Sequence, residues 1–391
     1  MISSTIIAPA QRLGQVEEYY FSRKLREIAE MRATGHDVLN LGIGSPDLPP
    51  HSSVINRLQE AGAQAGNHGY QSYQGVPELR EAFAEWYERY FSVQLDAATE
   101  VLPLIGSKEG IMHISMAFLN PGDEVLVPNP GYPTYRSATE LAGGVVRSYD
   151  LSEEGGWFPD LEVLAAKGLE RVKIMWVNYP HMPTGTPAQS GHFEALVAFA
   201  KAHGILLVND NPYAFILNEE PGSLLAVPGA KEVALELNSL SKAHNMAGWR
   251  VGVLVGAAEY LQIVLRFKSN MDSGMFKPVQ LAAIAALELP ASWYASQNEV
   301  YGQRKAKAVA LLEMLGCEIS GDQVGMFVWA RAPKHHADAY ELTDAVLAEK
   351  HIFLTPGGIF GSAGEQYVRI SLCSPVEVLE QAINRLKNFK A

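Results

Sequence analysis

Cysteine is scarce in this sequence, and its scarcity excludes two kinds of scaffold. Among the 391 residues only Cys317 and Cys373 are cysteines, and they form no CxxC pair. A disulfide framework and a zinc ribbon both need more cysteines at closer spacing, so we expect neither of them and no metal. Two isolated thiols suit a reducing compartment, so we expect a cytoplasmic protein.

Positive charge is also in short supply. The chain has 31 lysines and arginines against 43 aspartates and glutamates, which gives a formal net charge of −12. An acidic surface repels the phosphates of DNA and RNA, so we expect no nucleic-acid partner.

Long hydrophobic runs are lacking as well. The richest stretches, residues 251–258 and 281–287, fall well short of the roughly 18 apolar residues that span a bilayer. The short apolar stretch near the N-terminus has no basic residues before it. We therefore expect no secretory signal and no membrane partner.

Strand and helix patterns alternate through the first two thirds of the chain. Short apolar runs bounded by turn residues predict strands at 124–127, 172–177, 205–208, 234–237 and 251–255. Helical periodicity predicts helices at 78–91, 108–119, 192–203 and 258–267. Several of the strands are apolar on both faces, which is typical of a buried parallel sheet. The pattern predicts an α/β fold with a mostly parallel central sheet.

The C-terminal third has a different pattern. We predict one long helix over 280–315, followed by short strands at 326–330, 352–354 and 367–372 and helices near 339–349 and 376–388. This order predicts a smaller α+β unit.

The most informative segment runs from Ser239 to Arg250. It reads Ser-Leu-Ser-Lys-Ala-His-Asn-Met-Ala-Gly-Trp-Arg and lies between two predicted strands. An amine such as that of Lys242 forms a Schiff base with an aldehyde when part of it is neutral. The hydroxyls of Ser239 and Ser241 and a guanidinium suit a phosphate dianion. An aldehyde that carries a phosphate describes pyridoxal 5′-phosphate (PLP), although a lone lysine is more often a solvated surface residue.

This segment resembles the Ser-x-Ser-Lys and Gly-x-Arg pattern of the class I/II aminotransferases, which are fold-type I PLP enzymes. The resemblance implies that Lys242 carries the cofactor and moves a proton to and from the substrate. It also implies that Ser239, Ser241 and Arg250 bind the cofactor phosphate.

A second segment, Asp210-Asn-Pro-Tyr213, follows a predicted strand. A carboxylate at the carboxyl end of a strand faces the ligand crevice of such a sheet. The resemblance implies that Asp210 pairs with the nitrogen of the cofactor ring and that Tyr213 bonds its phenolic oxygen. By itself Asp-Asn-Pro is also good turn chemistry.

Two further segments resemble the family's cofactor site. Gly106-Ser-Lys-Glu-Gly opens a predicted helix, and backbone N–H groups at such a terminus bind phosphate, so Ser107 and Lys108 are candidates. In Pro-Asn-Pro-Gly-Tyr-Pro-Thr-Tyr, residues 128–135, the resemblance implies that Tyr132 stacks on the ring. Tyrosine is equally at home in a core, and Lys108 also suits a solvated helix face.

The ends of the chain supply the predicted substrate contacts. Arg369 lies inside an apolar strand pattern, where an unpaired charge is costly, and a guanidinium binds a carboxylate with two parallel hydrogen bonds. The resemblance implies that Arg369 binds the substrate α-carboxylate and that Gly44 faces the same group. A buried ion pair is the structural alternative for Arg369.

Tyr70 is the residue that predicts a partner. In the family the corresponding tyrosine reaches the phosphate in the neighbouring subunit. The resemblance therefore implies a homodimer with shared active sites, whereas the simpler alternative is a surface tyrosine.

One residue departs from the family pattern. The family usually reads Asn-Pro-Thr-Gly, with the asparagine bonding the phenolic oxygen, but this chain reads Met182-Pro-Thr-Gly. Methionine has no hydrogen-bond donor, so Tyr213 acts alone there unless Asn178 or His181 takes over. This departure leaves open a weakly active or non-catalytic PLP-binding protein.

The resemblance extends from about Gly42 to Arg369. It implies a large PLP-binding domain over 46–285 and a small domain built from 1–45 and 286–391. The expected reaction is ping-pong transfer of an amino group between an L-amino acid and a 2-oxo acid, with a PLP-dependent carbon–sulfur lyase as the alternative. The sequences of the motifs at 105–111 and 210–213 most resemble the alanine, aspartate and LL-diaminopimelate aminotransferase branch. A second cation for an acidic substrate is sought among Arg266, Lys268 and Lys277.

Overall fold

The fold is an α/β assembly with twelve strands and twelve α-helices among the residues that the structure describes. It is a computed structural model, and it describes residues 7–15, 18, 20–387 and 389. The strands are β1 (Leu39–Asn40), β2 (Val101–Leu104), β3 (Glu124–Asn129), β4 (Val145–Asp150), β5 (Val172–Val177), β6 (Leu206–Asp210), β7 (Ala234–Ser239), β8 (Gly252–Gly256), β9 (Phe327–Arg331), β10 (Ile352–Phe353), β11 (Thr355–Pro356) and β12 (Tyr367–Ser371). The helices are α1 (Tyr20–Ala33), α2 (Ser52–Gly62), α3 (Pro77–Phe91), α4 (Ser107–Phe118), α5 (Pro133–Leu141), α6 (Leu161–Ala166), α7 (His192–His203), α8 (Ala258–Lys268), α9 (Lys277–Leu287), α10 (Ala291–Met314), α11 (Ala339–Lys350) and α12 (Val376–Leu386).

The central sheet has seven strands in the order β2-β8-β7-β6-β5-β3-β4. The pairs from β7 to β4 are parallel, and β8 is antiparallel to both of its neighbours. Strands β3, β6, β7 and β8 are buried along their whole length, as apolar runs covered by helices on both faces should be. The prediction of a mostly parallel sheet is confirmed.

Helix α3 shows how the local sequence sets an element. Pro77 occupies its first turn, where the missing N–H is not needed, and Ser92 ends it in a left-handed conformation. Leu79, Phe83 and Trp86 recur at helical spacing and are fully buried.

The C-terminal part contains a second, antiparallel sheet in the order β11-β12-β9. Strand β1 near the N-terminus pairs in parallel with β10, so the two ends of the chain meet. The predicted α+β pattern is observed, while the division into domains at residues 46 and 285 stays a prediction.

The single long helix predicted over 280–315 is wrong. The structure has two helices, α9 and α10, separated by a break at residues 288–290. Pro290 is extended and immediately precedes α10. A residue before proline avoids the helical region, so Leu289 cannot continue α9.

The carboxyl ends of β6 and β7 open into the same crevice. Asp210 is the last residue of β6 and Ser239 the last residue of β7, and these strands are parallel neighbours. In open α/β sheets this edge is where ligands bind. Within the described residues, no helix is both long and apolar enough to cross a bilayer.

Candidate active site

A cavity of about 580 Å³ lies at this crevice. It gathers side chains from the sheet, from helix α1 and from the C-terminal strands. Eleven of the predicted site residues line it: Gly44, Ser107, Lys108, Tyr132, Asp210, Tyr213, Ser239, Ser241, Lys242, Arg250 and Arg369. Tyr70 does not, and its side chain is 93% exposed.

Lys242 lies in the turn after β7, with its amine inside the cavity. Its Nζ donates to the carbonyl oxygen of Gly44 at 2.6 Å, which joins the N-terminal segment to the sheet edge. Burial lowers the pKa of Lys242, and Arg369 and Arg250 add to the effect by repelling a further positive charge. A larger share of the amine is therefore neutral, as a nucleophile or a general base requires.

Asp210 is held by a tyrosine. The hydroxyl of Tyr135 donates to Asp210 Oδ2 at 3.0 Å, and the Tyr135 ring stacks on Trp176 with a centroid distance of 5.1 Å. Asp210 Oδ1 is buried and has no hydrogen-bond partner among the described residues. Burial raises the pKa of Asp210 to about 7, although Tyr135 and Lys242 both favour the anion. The free oxygen is thus ready to accept a hydrogen bond from a ligand.

A buried polar cluster supports the end of strand β6 behind Asp210. Glu236 on β7 is fully buried and accepts hydrogen bonds from Asn209 Nδ2, Ser223 Oγ and the Leu224 N–H at 2.8–2.9 Å. A buried carboxylate is tolerated when such donors surround it. Because Asn209 immediately precedes Asp210, this cluster fixes the backbone that carries the Asp210 carboxylate.

The opposite end of the cavity is suited to an anion. Helix α4 begins at Ser107, directly after Gly106, and its first two residues, Ser107 and Lys108, line the cavity at a helix terminus of the kind that binds anions. The hydroxyls of Ser239 and Ser241 lie 2.8 Å apart, and Arg250 Nη1 lies 3.5 Å from Ser241 Oγ.

Two backbone features make this end compact. Gly106 has a φ of +85°, which residues with a side chain rarely adopt, and a Cβ there would lie 2.0 Å from Arg250 Nη2. Arg250 itself has a φ of +58°, an unusual conformation for a residue with a side chain. Desolvation and the Arg250 guanidinium lower the pKa of Lys108 beside it.

Arg369 lies on β12 within a box of aromatic rings. Its guanidinium carbon is 3.9 Å from the ring centroid of Phe327, 4.6 Å from that of Phe360 and 5.6 Å from that of Phe21. Its Nη2 donates to the carbonyl oxygen of Gly42 at 2.9 Å. The faces of these rings stabilise the guanidinium cation without neutralising its charge.

The comparisons with known proteins agree on one family. A sequence profile described as "Aminotransferase class I and II" matches residues 36–386. The chain belongs to this family. It is 41% identical over 384 residues to an LL-diaminopimelate aminotransferase from Dehalococcoides mccartyi, a match covering 98% of this chain and 99% of the relative. A relative of the same name from Aquifex aeolicus is 42% identical, with 97% and 99% covered. The solved structure of substrate-bound BacF from Bacillus subtilis matches with a TM-score of 0.93 at 37% identity, with 98% and 97% covered.

Class I/II aminotransferases use PLP, and the residues of this aminotransferase fit that cofactor. The unpartnered Oδ1 of Asp210 suits a protonated ring nitrogen. The anion site at Ser239, Ser241 and Arg250 suits the phosphate, and the amine of Lys242 lies in the same cavity. The fold is the fold-type I architecture that the sequence predicts.

Met182 lines the cavity of this aminotransferase, with its sulfur 3.5 Å from Arg369 Nη1. Asn178 also lines the cavity; its amide nitrogen donates to the backbone oxygen of Asp210 and its oxygen accepts from the Met182 N–H, so one N–H of the amide is left to replace the missing donor. His181 Nδ1 is paired with Thr184 Oγ1 at 2.9 Å. Burial lowers the pKa of His181 to about 3, which keeps the ring neutral.

The three cations considered for an acidic substrate do not line the cavity. Arg266, Lys268 and Lys277 all lie outside it. Lys268 is buried, and its amine lies 2.8 Å from Asp272 Oδ2.

A cluster of possible metal ligands lies next to this ion pair. Atoms of Glu109, His113 and Asp272 come within 4.8 Å of one another. Within the cluster, Asp272 pairs with the Lys268 ammonium, and His113 Nε2 lies 3.2 Å from Glu109 Oε1.

Sequence reasoning missed two parts of the site. Tyr135 lies in the segment singled out for Tyr132. It follows Tyr132 by three residues at the start of helix α5, and this spacing places two side chains on the same face of a helix. Helix α1 contributes Phe21, Ser22 and Leu25 to the cavity. No motif marks α1, because apolar residues on an amphipathic helix are indistinguishable from ordinary core positions.

Proposed function

We propose that this aminotransferase takes LL-diaminopimelate as its amino donor and a 2-oxo acid as its acceptor, in a ping-pong reaction. The support is the similarity to relatives of that name, at 41% and 42% identity over nearly the whole length of both chains. The structural observation that carries the proposal is the single cavity in which the Lys242 amine, the Asp210 carboxylate and the Arg369 guanidinium meet.

PLP, when bound, supplies an aldehyde for the substrate amine and a ring that withdraws electrons. Asp210 would hold the ring nitrogen through Oδ1, with Tyr135 keeping the carboxylate ionised. Arg369 orients the substrate carboxylate. The Lys242 amine, with its lowered pKa, takes the proton from the substrate α-carbon and returns one during transfer.

The remaining predicted residues would hold the cofactor in place. Tyr132 would stack on its ring, and Tyr213 would bond its phenolic oxygen. Its phosphate would bind at the start of α4, in the anion site described above. The wall residues that would make these contacts are Ser107, Lys108, Tyr132, Tyr213, Ser239, Ser241 and Arg250.

We propose further that the working enzyme is a homodimer and that Tyr70 crosses to the phosphate of the partner subunit. Tyr70, Tyr73, Met271 and Phe276 are 93%, 43%, 52% and 49% exposed. The two segments that carry them touch, since the ring centroids of His68 and Phe276 lie 5.8 Å apart. An exposed apolar patch of this kind is typical of a protein–protein interface.

The cysteines support a cytoplasmic location. Cys317 and Cys373 are both free and buried. Burial raises the pKa of Cys317 to about 12, so its thiol stays protonated and unreactive.

A single-turnover experiment tests the reaction. PLP-loaded enzyme is mixed with LL-diaminopimelate in the absence of any oxo acid, and formation of the oxo product and of the aminated cofactor is followed. Lys242→Ala should lose covalent cofactor attachment, seen by mass spectrometry after borohydride reduction, and should slow turnover by at least about 100-fold. Lys173→Ala, at an exposed lysine on β5, is the control and should behave like the wild type.

Other outcomes separate the alternatives. Release of ammonia with no aminated cofactor would indicate an eliminating enzyme. Absence of any half-reaction across a panel of L-amino acids would indicate a PLP-binding protein without activity, and borohydride trapping that persists in Lys242→Ala would refute the role of that lysine.

A further inference from the structure

Helix α1 forms one wall of the active cavity, which we call the roof, and the roof carries no charge. Its members are Phe21, Ser22 and Leu25. The helix is anchored to α11, with Lys24 Nζ 3.2 Å from Asp344 Oδ1.

The charged side chains that line the cavity lie away from the roof or are committed to other groups. Arg250 and Lys108 lie at the end of the cavity suited to an anion, and Asp210 lies where the cofactor ring is proposed to bind. Lys242 reaches Gly44, and Arg369 lies in its aromatic box. Among the described residues, no other charged side chain lines the cavity. A charged substrate side chain would therefore find no opposite charge on the inner part of the roof.

The geometry directs the substrate side chain toward this roof. The Arg369 guanidinium carbon lies 5.6 Å from the Phe21 ring, so a carboxylate held by Arg369 has Phe21 beside it. The Lys242 amine lies against Gly44, next to Ile43. With its carboxylate at Arg369 and its reacting carbon at Lys242, a substrate would have the apolar surface of Phe21 and Ile43 within reach of its side chain, beside the rings of Phe327 and Phe360.

The roof leads outward from a buried to an exposed apolar residue. Phe21 is 9% exposed and Leu25 is 44% exposed. Four residues of helix separate them by about 6 Å along the axis, on one face. A side chain that follows this face begins in a dry region and ends in solvent, where a polar end group keeps its hydration.

We propose that Phe21 and Leu25 determine substrate specificity by binding an unbranched methylene stem in the side chain of the amino donor. The substrate class is 2-amino acids with an extended apolar stem, whether the end of that stem is apolar or polar. This inference rests on the proposed aminotransferase function, and it includes LL-diaminopimelate, whose two ends are joined by methylenes.

A homologous series of substrates tests the proposal. The half-reaction of PLP-loaded enzyme is measured with L-alanine, L-2-aminobutyrate, L-norvaline and L-norleucine, which differ by one methylene at each step. The apparent kcat/KM should rise at each step, by up to about fourfold per methylene, the value for a fully buried methylene. A flat series in the wild type would overturn the proposal.

Variants locate the effect on α1. Phe21→Ala should reduce the rise to less than about twofold per methylene, and Leu25→Ala should weaken only the longer members of the series. Leu25 is half exposed, so this second variant is expected to fold normally. Glu30→Gln changes an exposed residue of the same helix and should leave the series unchanged. Equal slopes in all three variants and the wild type would contradict the assignment.

A binding measurement gives a readout independent of turnover. Straight-chain carboxylates from propanoate to hexanoate cannot react, and calorimetric titration of PLP-loaded enzyme should show the same stepwise gain in affinity and the same loss in Phe21→Ala. If no amino acid gives a half-reaction, the proposed function fails. If LL-diaminopimelate reacts while the series is flat, only the role of the roof fails.

Discussion

The floor of the active cavity differs from its roof in burial and in support. The floor, formed by Asp210, Ser239 and Ser241 at the ends of two strands, is 5–7% exposed. The roof on α1 ranges from 9% at Phe21 to 44% at Leu25. The floor lies at the edge of the central sheet, where Ser239 bonds Ser241 and Asp210 bonds Tyr135, whereas the roof lies on a surface helix.

This difference separates two tasks. A cofactor is the same in every turnover, so a rigid polar floor suits it. Substrates must enter and leave, and a partly exposed helix with few anchoring contacts has a lower local stability. Changes in the floor should therefore have large effects, and changes that loosen the roof should have small ones.

The largest expected effect comes from Asp210→Asn in the cofactor-free chain. Because burial raises the pKa of Asp210 to about 7, the folded state binds its proton more tightly than the unfolded state does. The stability contributed by this group is present at low pH and is lost as pH rises from about 4 to about 7. At pH 8 the variant should exceed the wild type in free energy of unfolding by about 4 kcal/mol at most, and at pH 4 the two should be similar.

Urea denaturation across this pH range measures that difference. Asp322→Asn, at an exposed aspartate, is the matched control and should show no such gain. A difference in free energy of unfolding between Asp210→Asn and the wild type that stays constant at all pH values would argue against a raised pKa of Asp210.

An intermediate effect, on the pH dependence of stability, is expected from Tyr135→Phe. Loss of the hydroxyl removes a hydrogen bond that favours the anion, so the pKa of Asp210 should rise further. The midpoint of the pH-dependent gain given by Asp210→Asn should move up by about 0.4 to 1 pH unit in this background. Tyr149→Phe also removes a buried hydroxyl, which bonds the Trp176 carbonyl oxygen at 2.7 Å, and should leave the midpoint in place.

One outcome would contradict the predicted role of the Tyr135 hydroxyl. If Tyr149→Phe and Tyr135→Phe move the midpoint equally, the effect belongs to general loosening of the core and not to the contact with Asp210.

The smallest effect is expected at the anchor of the roof. Asp344→Asn removes the ion pair between Lys24 and α11. Asp344 is more than half exposed, so the change in stability should stay below about 1 kcal/mol. Hydrogen exchange in α1 should become up to about fivefold faster, while the strands of the floor keep their protection.

Glu27→Gln sharpens this test. It removes the other ion pair of Lys24, which lies within α1 at 2.9 Å, and leaves the link to α11. Exchange in α1 should change less than in Asp344→Asn. Equal acceleration in floor and roof would remove the distinction between them.

The floor was predictable from sequence because its functional side chains come from short, contiguous segments. Lys242, Ser239 and Arg250 lie within twelve residues, and Asp210 follows an apolar run that ends at the sheet edge. Strand ends are set by local pattern, and the parallel sheet brings them together. A short segment whose position at the end of a strand is set by its local sequence is the kind of feature that sequence analysis detects best.

The parts that escaped prediction depend on tertiary contacts. Strand β2 contains Pro103 and was not predicted, since proline argues against a strand except at an edge, where β2 lies. Strand β4 is half exposed and lacks a clear apolar run. The roof on α1 and the bond from Tyr135 to Asp210 join segments distant in sequence, and only the fold reveals them.

The meeting of the chain ends at the active site sets an order in time during synthesis. The central sheet is complete at Gly256, and with it every proposed cofactor contact of a single chain. Arg369 follows 113 residues later, because 369 minus 256 is 113. At about 5 to 20 residues per second, a nascent chain would carry the sheet and the proposed cofactor residues for roughly 6 to 23 s before Arg369 is added. In that interval it could hold PLP before it could select an amino acid.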